Sequence, residues 1–245
     1  MNSGIYTAVS GLRAQVDALD ILSNNLSNLN TAGYKEDKTF FRMLSQEMDS
    51  GELDDLNKAI DRQKVAAEST LNPSAGSLTL THRDLDIALM GNGFLVVQTP
   101  QGIRYTRNGN LLLNSKSVLS TSDGFPVLGE RGRPIQLGPG HITINESGEV
   151  LLDEARTDRL KIVSFEKPSS LLKEGGSLLY ASDGRASEKP SEATVNQGYL
   201  EQSNVNPVSA VVSMVGILRQ FEAIQKSVNL VMNDINSKSI ENLAR

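Results

Sequence analysis

The side chains able to do chemistry are few and scattered. There are two histidines, the residue type most often recruited as a general base near neutral pH. His82 lies in Thr81-His82-Arg83-Asp84, and His141 follows Gly138-Pro139-Gly140. Neither stands in an H-E-x-x-H zinc pattern, and no G-x-S-x-G nucleophile turn accompanies them, so both read as surface or turn histidines. Gly91-Asn92-Gly93 is rich in glycine, as phosphate cradles are, but it lacks their spacing and the helix that follows them, and it reads as a hairpin turn. The acidic residues do not alternate as calcium-loop ligands do. With no cysteine in 245 residues, disulfides, thiolate nucleophiles and cysteine metal sites are excluded. The expectation is a chain with no catalytic residue, no metal ligands and no cofactor. The competing reading is a periplasmic or extracellular glycan-active enzyme on a β scaffold, which needs two carboxylates converging on a cleft.

A different kind of chemistry is offered by a run of amides. Ser23-Asn24-Asn25-Leu26-Ser27-Asn28-Leu29-Asn30 sets four asparagines among leucines that keep helical spacing. Asparagine favours caps and turns over helix interiors. The amides are therefore expected to face groups they can bond, such as the backbone of a neighbouring chain. The alternative is a solvated helix end closed by Gly33.

The elements that position these residues show in the hydrophobic period. Ile5, Val9, Leu12, Val16 and Leu19 recur in steps of four and three, and Leu22, Leu26 and Leu29 continue after one shortened step. At the other end Ala210, Met214, Ile217, Phe221, Ile224, Val228, Val231 and Ile235 keep the same heptad rhythm. Asn206 is placed to cap this second helix, with Pro207 at its first position. Two such seams are natural partners. The opposite faces carry uncharged Ser, Asn, Gln and Ala where a solvated helix would carry Lys and Glu, which points to further contact with other copies.

Between the helices the period falls to two. Leu78 and Leu80, then Leu85, Ile87 and Leu89, alternate with polar neighbours as half-buried strands do. Turn pairs such as Gln101-Gly102, Asn108-Gly109, Asp123-Gly124 and Ser147-Gly148 follow at short intervals, the pattern of an antiparallel β domain. The expected fold is α+β, with terminal helices forming a coiled-coil domain and an antiparallel β domain inserted between them. The expected boundaries are 1–35 for the first helix, 36–76 for a connector, 77–202 for the β domain and 203–245 for the second helix. The connector is expected to be partly helical, through Phe40, Phe41, Leu44 and Met48 and then Leu53, Leu56, Ile60 and Ala67.

The formal net charge is −5. The end segments are balanced and sparsely charged, so the central region supplies the excess, and no basic cluster suits a nucleic acid. No cleavable secretion signal is visible, and no run approaches the roughly 20 apolar residues of a membrane span.

The motif Ser23-Asn24-Asn25-Leu26-Ser27-Asn28 with Thr31-Ala32-Gly33-Tyr34-Lys35 resembles the signature of the flagellar basal-body rod and hook proteins, with Ser in place of two Ala. Further similar blocks follow in the family's order. They are Gly91-Asn92-Gly93-Phe94-Leu95, Tyr105-Thr106-Arg107-Asn108-Gly109-Asn110, Asp123-Gly124-Phe125-Pro126-Val127-Leu128-Gly129, and Gly198-Tyr199-Leu200-Glu201-Gln202-Ser203-Asn204-Val205-Asn206-Pro207. Arg219-Gln220-Phe221-Glu222 completes the set. Within the family the length and the β-domain wording are most similar to proximal rod members, with distal rod members as the alternative.

The resemblance implies a structural, non-enzymatic subunit of the rod that crosses the periplasm and transmits torque from motor to hook. It implies export through the flagellar type III apparatus without a cleaved signal. The partners it implies are other copies of the chain and other rod proteins, including the distal rod protein. Assembly would then rest on two sets of residues. The N-terminal set is Ile5, Val9, Leu12, Val16, Leu19, Asn24, Asn25, Leu26, Asn28, Gly33 and Tyr34. The C-terminal set is Leu200, Glu201, Ser203, Asn204, Val205, Met214, Ile217, Phe221, Glu222, Ile224, Val228, Val231 and Ile235.

Overall fold

A computed structural model of the chain describes residues 2–44, 64–181 and 188–243. Among these residues it is a mixed α+β protein with two α-helices and seventeen short strands. The chain divides into two compact units, one of residues 1–26, 37–69 and 207–245 and the other of 27–36 and 70–206.

The first unit holds α1 (Asn2–Ser27), the paired strands β1 (Asp37–Leu44) and β2 (Lys64–Leu71), and α2 (Pro207–Leu243). Its core is small. Ala18, Leu22 and Ile217 are buried, with Leu19, Ala67 and Met214 packed against them. The buried face of α1 runs through Ala14, Ala18, Leu22 and Asn25, a stripe of mostly short side chains that permits close approach. Val9 and Val16 of the expected seam lie off this stripe, 51% and 43% exposed. In α2 the expected positions Ala210, Met214, Ile217, Phe221, Ile224 and Val228 form the less exposed face, while Val231 is exposed. The side chains of Ile5 and Ile235 lie outside the described residues.

The other side of α2 is apolar too. Val208, Val212 and Leu230 are 71%, 66% and 71% exposed, and Val211, Val215 and Leu218 join them. By length and composition Pro207–Asn233 is apolar enough to cross a membrane, and only 11% of its apolar window is buried. A search for an unbroken apolar run misses it, because Ser209, Ser213, Gly216 and Gln220 interrupt the stretch without lowering its mean hydropathy much.

The partial helix expected at Phe40, Phe41, Leu44 and Ala67 is corrected to strand. Thr39, Phe40, Phe41, Val65 and Thr70 are β-formers, and Arg42 reaches Glu68 on the paired strand at 3.6 Å. Met48, Leu53, Leu56 and Ile60 lie outside the described residues. Asn25 clips the start of β1: its Nδ2 donates to the Asp37 carbonyl at 2.8 Å, and the Asp37 N–H donates to its Oδ1 at 3.0 Å.

The second unit is antiparallel throughout its described pairings. Its strands are β3 (Leu78–Leu80), β4 (Ile87–Met90), β5 (Phe94–Thr99), β6 (Gly102–Thr106), β7 (Leu111–Leu113) and β8 (Leu119–Thr121). Then come β9 (Ile142–Ile144), β10 (Glu149–Leu152), β11 (Ala155–Arg159) and β12 (Ile162–Phe165). The last five are β13 (Leu171–Lys173), β14 (Leu178–Ala181), β15 (Glu188–Pro190), β16 (Thr194–Gln197) and β17 (Tyr199–Glu201). Six strands form the main sheet in the order β13-β14-β6-β5-β12-β15, three pair as β11-β10-β9, and the rest form the ribbons β16-β4, β17-β3 and β7-β8.

Strand β5 explains why its sequence reads as a continuous apolar run. Leu95 and Val97 belong to one core with Ile87, Leu111 and Leu119, whereas Phe94 and Val96 belong to another with Tyr105 and Phe165. A strand covered on both faces has no polar side to alternate with. Leu78 and Leu80, expected to be half-buried, are instead exposed in the two-stranded ribbon with β17.

Candidate functional site

In the β unit the segment that leaves α1 runs beside the segment that leads to α2, and the family-like blocks meet there. The first turn is made locally. Asn28 accepts from the Thr31 N–H at its carbonyl and from the Thr31 hydroxyl at its Oδ1, at 3.2 and 3.0 Å. Gly33 then takes φ +66°, and its N–H donates to the Glu201 carbonyl at 2.7 Å. A Cβ on Gly33 would fall 2.2 Å from the Arg107 carbonyl carbon and 2.3 Å from the Asn108 nitrogen, both backbone, so only glycine fits. Tyr34 is fully buried, with the Lys173 ammonium 3.8 Å from its ring centre.

Lys35, Arg107 and Glu201 form a buried ionic cluster, each less than 5% exposed. The Lys35 Nζ donates to Glu201 Oε1 at 2.6 Å and to the Ser74 carbonyl at 2.7 Å. The Gly76 N–H donates to the same Oε1 at 2.9 Å, and Arg107 Nη1 donates to Oε2 at 3.2 Å. Two cations share one carboxylate, so backbone oxygens supply the remaining acceptors: Arg107 also donates to the Leu89 carbonyl at 2.7 Å and to that of Gly91. Burial holds the Lys35 ammonium below its ordinary pKa even though Glu201 pulls the other way, and burial lowers the Arg107 guanidinium likewise.

Arg107 is aimed by the turn after β6. The Thr106 hydroxyl accepts from the Asn108 N–H at 3.0 Å, and Gly109 lies so close to β4 that a Cβ would sit 1.7 Å from the Ile87 carbonyl oxygen.

One turn further on, Asn204 performs the same service with an amide. Its Oδ1 accepts from the Glu36 N–H at 2.6 Å, and its Nδ2 donates to the carbonyls of Asn72 and Ser74 at 3.1 and 2.9 Å. The Asn72 N–H and Nδ2 return to Glu36, at its carbonyl and its Oε2, at 2.8 and 2.9 Å. Leu200 and Val205 are buried beside these contacts, and the Ser203 hydroxyl accepts from the Val205 N–H at 3.3 Å.

The structure thus brings Gly33, Tyr34, Leu200, Glu201, Asn204 and Val205 together, and it gives Asn25 an amide partner in the chain's own backbone. Asn24 is exposed, Asn28 and Leu26 are partly buried, and Glu222 is exposed on α2. The seam residues Val9, Leu12, Val16 and Leu19 belong to α1, in the other unit. Lys35 and Arg107 were not among the expected site residues, and neither were Asn72, Ser74 and Gly76. The available signal was a charge in an otherwise neutral segment at Lys35, and a guanidinium within a turn block at Arg107.

A buried cluster of this kind holds chain segments in place and cannot reach a substrate. His82 and His141 are exposed, His141 Nδ1 lying 3.7 Å from Asp84 Oδ2. A cavity of about 530 Å³ is lined in part by Glu130, Arg159, Lys161 and Glu188. Its Glu130 and Glu188 are ion-paired, with Arg159 at 3.9 Å and Lys161 at 3.3 Å. Among the described residues no group of three or more His, Cys, Asp or Glu side chains is arranged to hold a metal ion.

Three family models match the chain. Residues 5–35 match the flagella basal body rod protein model, residues 88–152 the flagellar hook protein FlgE/F/G D1 domain, and residues 196–231 the flagellar basal body rod FlgEFG protein C-terminal model. The chain is 30% identical to the flagellar basal-body rod protein FlgF of Caulobacter vibrioides, covering 100% of this chain and 99% of that one. It is 30% identical to FlgF of Salmonella typhimurium over 94% of each chain. It is also 27% identical to the flagellar basal-body rod protein FlgG of Bacillus subtilis, over 93% and 94%.

Proposed function

Because the chain belongs to the flagellar basal-body rod protein family and is a structural subunit of the rod, we propose that it assembles through its terminal helices while the β unit stays folded as a block. The observation that carries this reading is the apolar surface of α2, where one face is partly covered within the chain and Val208, Val212, Val215 and Leu218 on the other are exposed. A contiguous exposed apolar helix face marks a surface that meets another molecule. Helices of other subunits are the natural cover, since a contact between unlike faces of identical copies repeats into a helical filament. Leu19, Met214 and Ile217 of the expected seams already pack together within the chain, so in this reading the contacts between subunits are made by the faces left open, Val208, Val212, Val215 and Leu218 of α2 and Val9 and Val16 of α1.

In this reading the subunit sits in the rod where it crosses the periplasm, and it is exported by the flagellar type III apparatus without a cleaved signal. It contacts other copies and other rod proteins, the distal rod protein among them, and carries torque rather than catalysing a reaction. The length and β-domain wording favour a proximal position, with a distal one as the alternative within the family.

The test is incorporation. Val212→Asp puts a charge on the exposed face of α2, where it costs the free chain little, and it should abolish recovery of the subunit in purified basal bodies. Normal recovery would overturn the reading. A second reading, insertion of α2 into a bilayer, rests on the same apolar stretch. Flotation of the purified protein with phospholipid vesicles would support it over assembly.

A further inference from the structure

The chain passes between its two units after Leu26, after Glu36, after Ser69 and after Asn206. On the β side the adjoining stretches are 27–36, 70–76 and 201–206, and two side chains hold all three. Glu201 takes the Gly33 N–H on its carbonyl, and the Lys35 ammonium and Gly76 N–H on one carboxylate oxygen. Asn204 takes the Glu36 N–H and donates to Asn72 and Ser74. Arg107 fastens the same carboxylate to the turn after β6.

We propose that Glu201 and Asn204 form a clasp that makes these three stretches open and close as one cooperative unit. Independent tethers would each fray alone, as exposed chain near a domain boundary does. Here the contacts are shared. If 33–35 lifts away, Glu201 loses a buried cation and the Gly33 N–H loses its carbonyl acceptor. If 74–76 lifts, Lys35 loses its carbonyl acceptor and Glu201 loses a backbone donor. Breaking a buried ionic contact on one side leaves a charge uncompensated in the interior, at a cost of several-fold to many-fold in population, so partial opening is suppressed. In the rod reading, on which this purpose rests, a twisting load arriving along any one stretch is shared by all three. The clasp itself belongs to the free chain and can be tested there.

The experiment is amide hydrogen exchange on the purified full-length protein. Glu201→Gln should speed exchange at Gly33, Gly76, Asn72, Glu36 and Gln202 together, by about 100-fold or more, while the amides of Leu95, Leu119 and Val127 keep their protection. Acceleration confined to Gly76, the one amide bonded to the altered carboxylate, would overturn the proposal. If Glu201→Gln unfolds the β unit altogether, Asn204→Ala decides. It should speed exchange at Gly33 and Gly76, whose amides Asn204 does not touch, and unchanged rates there would overturn the proposal. Because exchange is read on the free chain and Val212→Asp is read in basal bodies, failure of the clasp and failure of the rod reading are separately visible.

Discussion

The sharpest quantitative consequence concerns Lys35 and Glu201, which meet at 2.6 Å with side chains only 2% and 1% exposed. Glu201→Gln keeps an acceptor for the Gly76 N–H but leaves Lys35 and Arg107 as buried cations without a counter-charge, a change that costs about 3–5 kcal/mol. Lys35→Met is milder. Glu201 still has Arg107 and Gly76, so the loss is about that of a charge-assisted hydrogen bond, about 1.5–3 kcal/mol. The double variant should be destabilised by clearly less than the sum, because the second change removes a cation already stranded by the first. For a unit of this size Glu201→Gln should lower Tm by about 6–20 °C. The chain has no tryptophan, so far-UV circular dichroism or calorimetry reads the transition. Glu166→Gln, which breaks an exposed pair with Lys189, serves as the control and should leave the melt unchanged. Additivity of the Lys35 and Glu201 changes to within about 0.5 kcal/mol would refute the argument, since uncoupled sites add in that way.

Three further outcomes are expected. Gly33→Ala should destabilise much more than Gly124→Ala: both glycines have positive φ, but an added Cβ meets Arg107 backbone at 2.2 Å in the first case and open space in the second, and paired melts compare them. The unfolded chain holds the Lys35 proton up to its ordinary 10.5, whereas the folded chain releases it at lower pH, so the stability of the native protein relative to Lys35→Met should climb as the pH rises toward 10.5, as urea titrations would show. Phe221→Asp, or removal of residues 235–245, should block incorporation into basal bodies while the β unit melts as before; a fully motile strain carrying Phe221→Asp would count against helix-mediated assembly.

What the sequence makes legible follows the range of the interactions concerned. Heptad spacing is a local signal, and the less exposed face of α2 runs through the residues that the period selects, from Ala210 to Val228. It is weaker in α1, where the buried stripe shares Leu22 with the expected seam but otherwise runs through Ala14 and Ala18, small residues that score poorly as apolar anchors, and is offset from Val9 and Val16. Phe40-Phe41 suits a helix turn or a strand equally well, and only pairing of β1 with β2 decides between them. The clasp is the extreme case. Lys35 and Glu201 are 166 residues apart, and Arg107 is 94 residues from Glu201. No period reports such a pairing, so the motif blocks can be recognised without revealing that they touch.

The distance between these partners also bears on why the junction is ionic. An apolar contact among 27–36, 70–76 and 201–206 could bury similar area, and buried ion pairs are often no more stabilising than the hydrophobic residues that might replace them. Apolar surfaces, however, tolerate sliding by a residue or a rotamer change. A carboxylate that must receive the Gly76 N–H, the Lys35 ammonium and the Arg107 guanidinium at once has one solution. A shift of any stretch by one residue would strand a buried charge. If the subunit carries a twisting load as proposed, that intolerance is the useful property. It also separates two parts of the chain, with fixed polar geometry in the stretches 27–36, 70–76 and 201–206 and exposed apolar faces on α2, the surface proposed to receive other subunits.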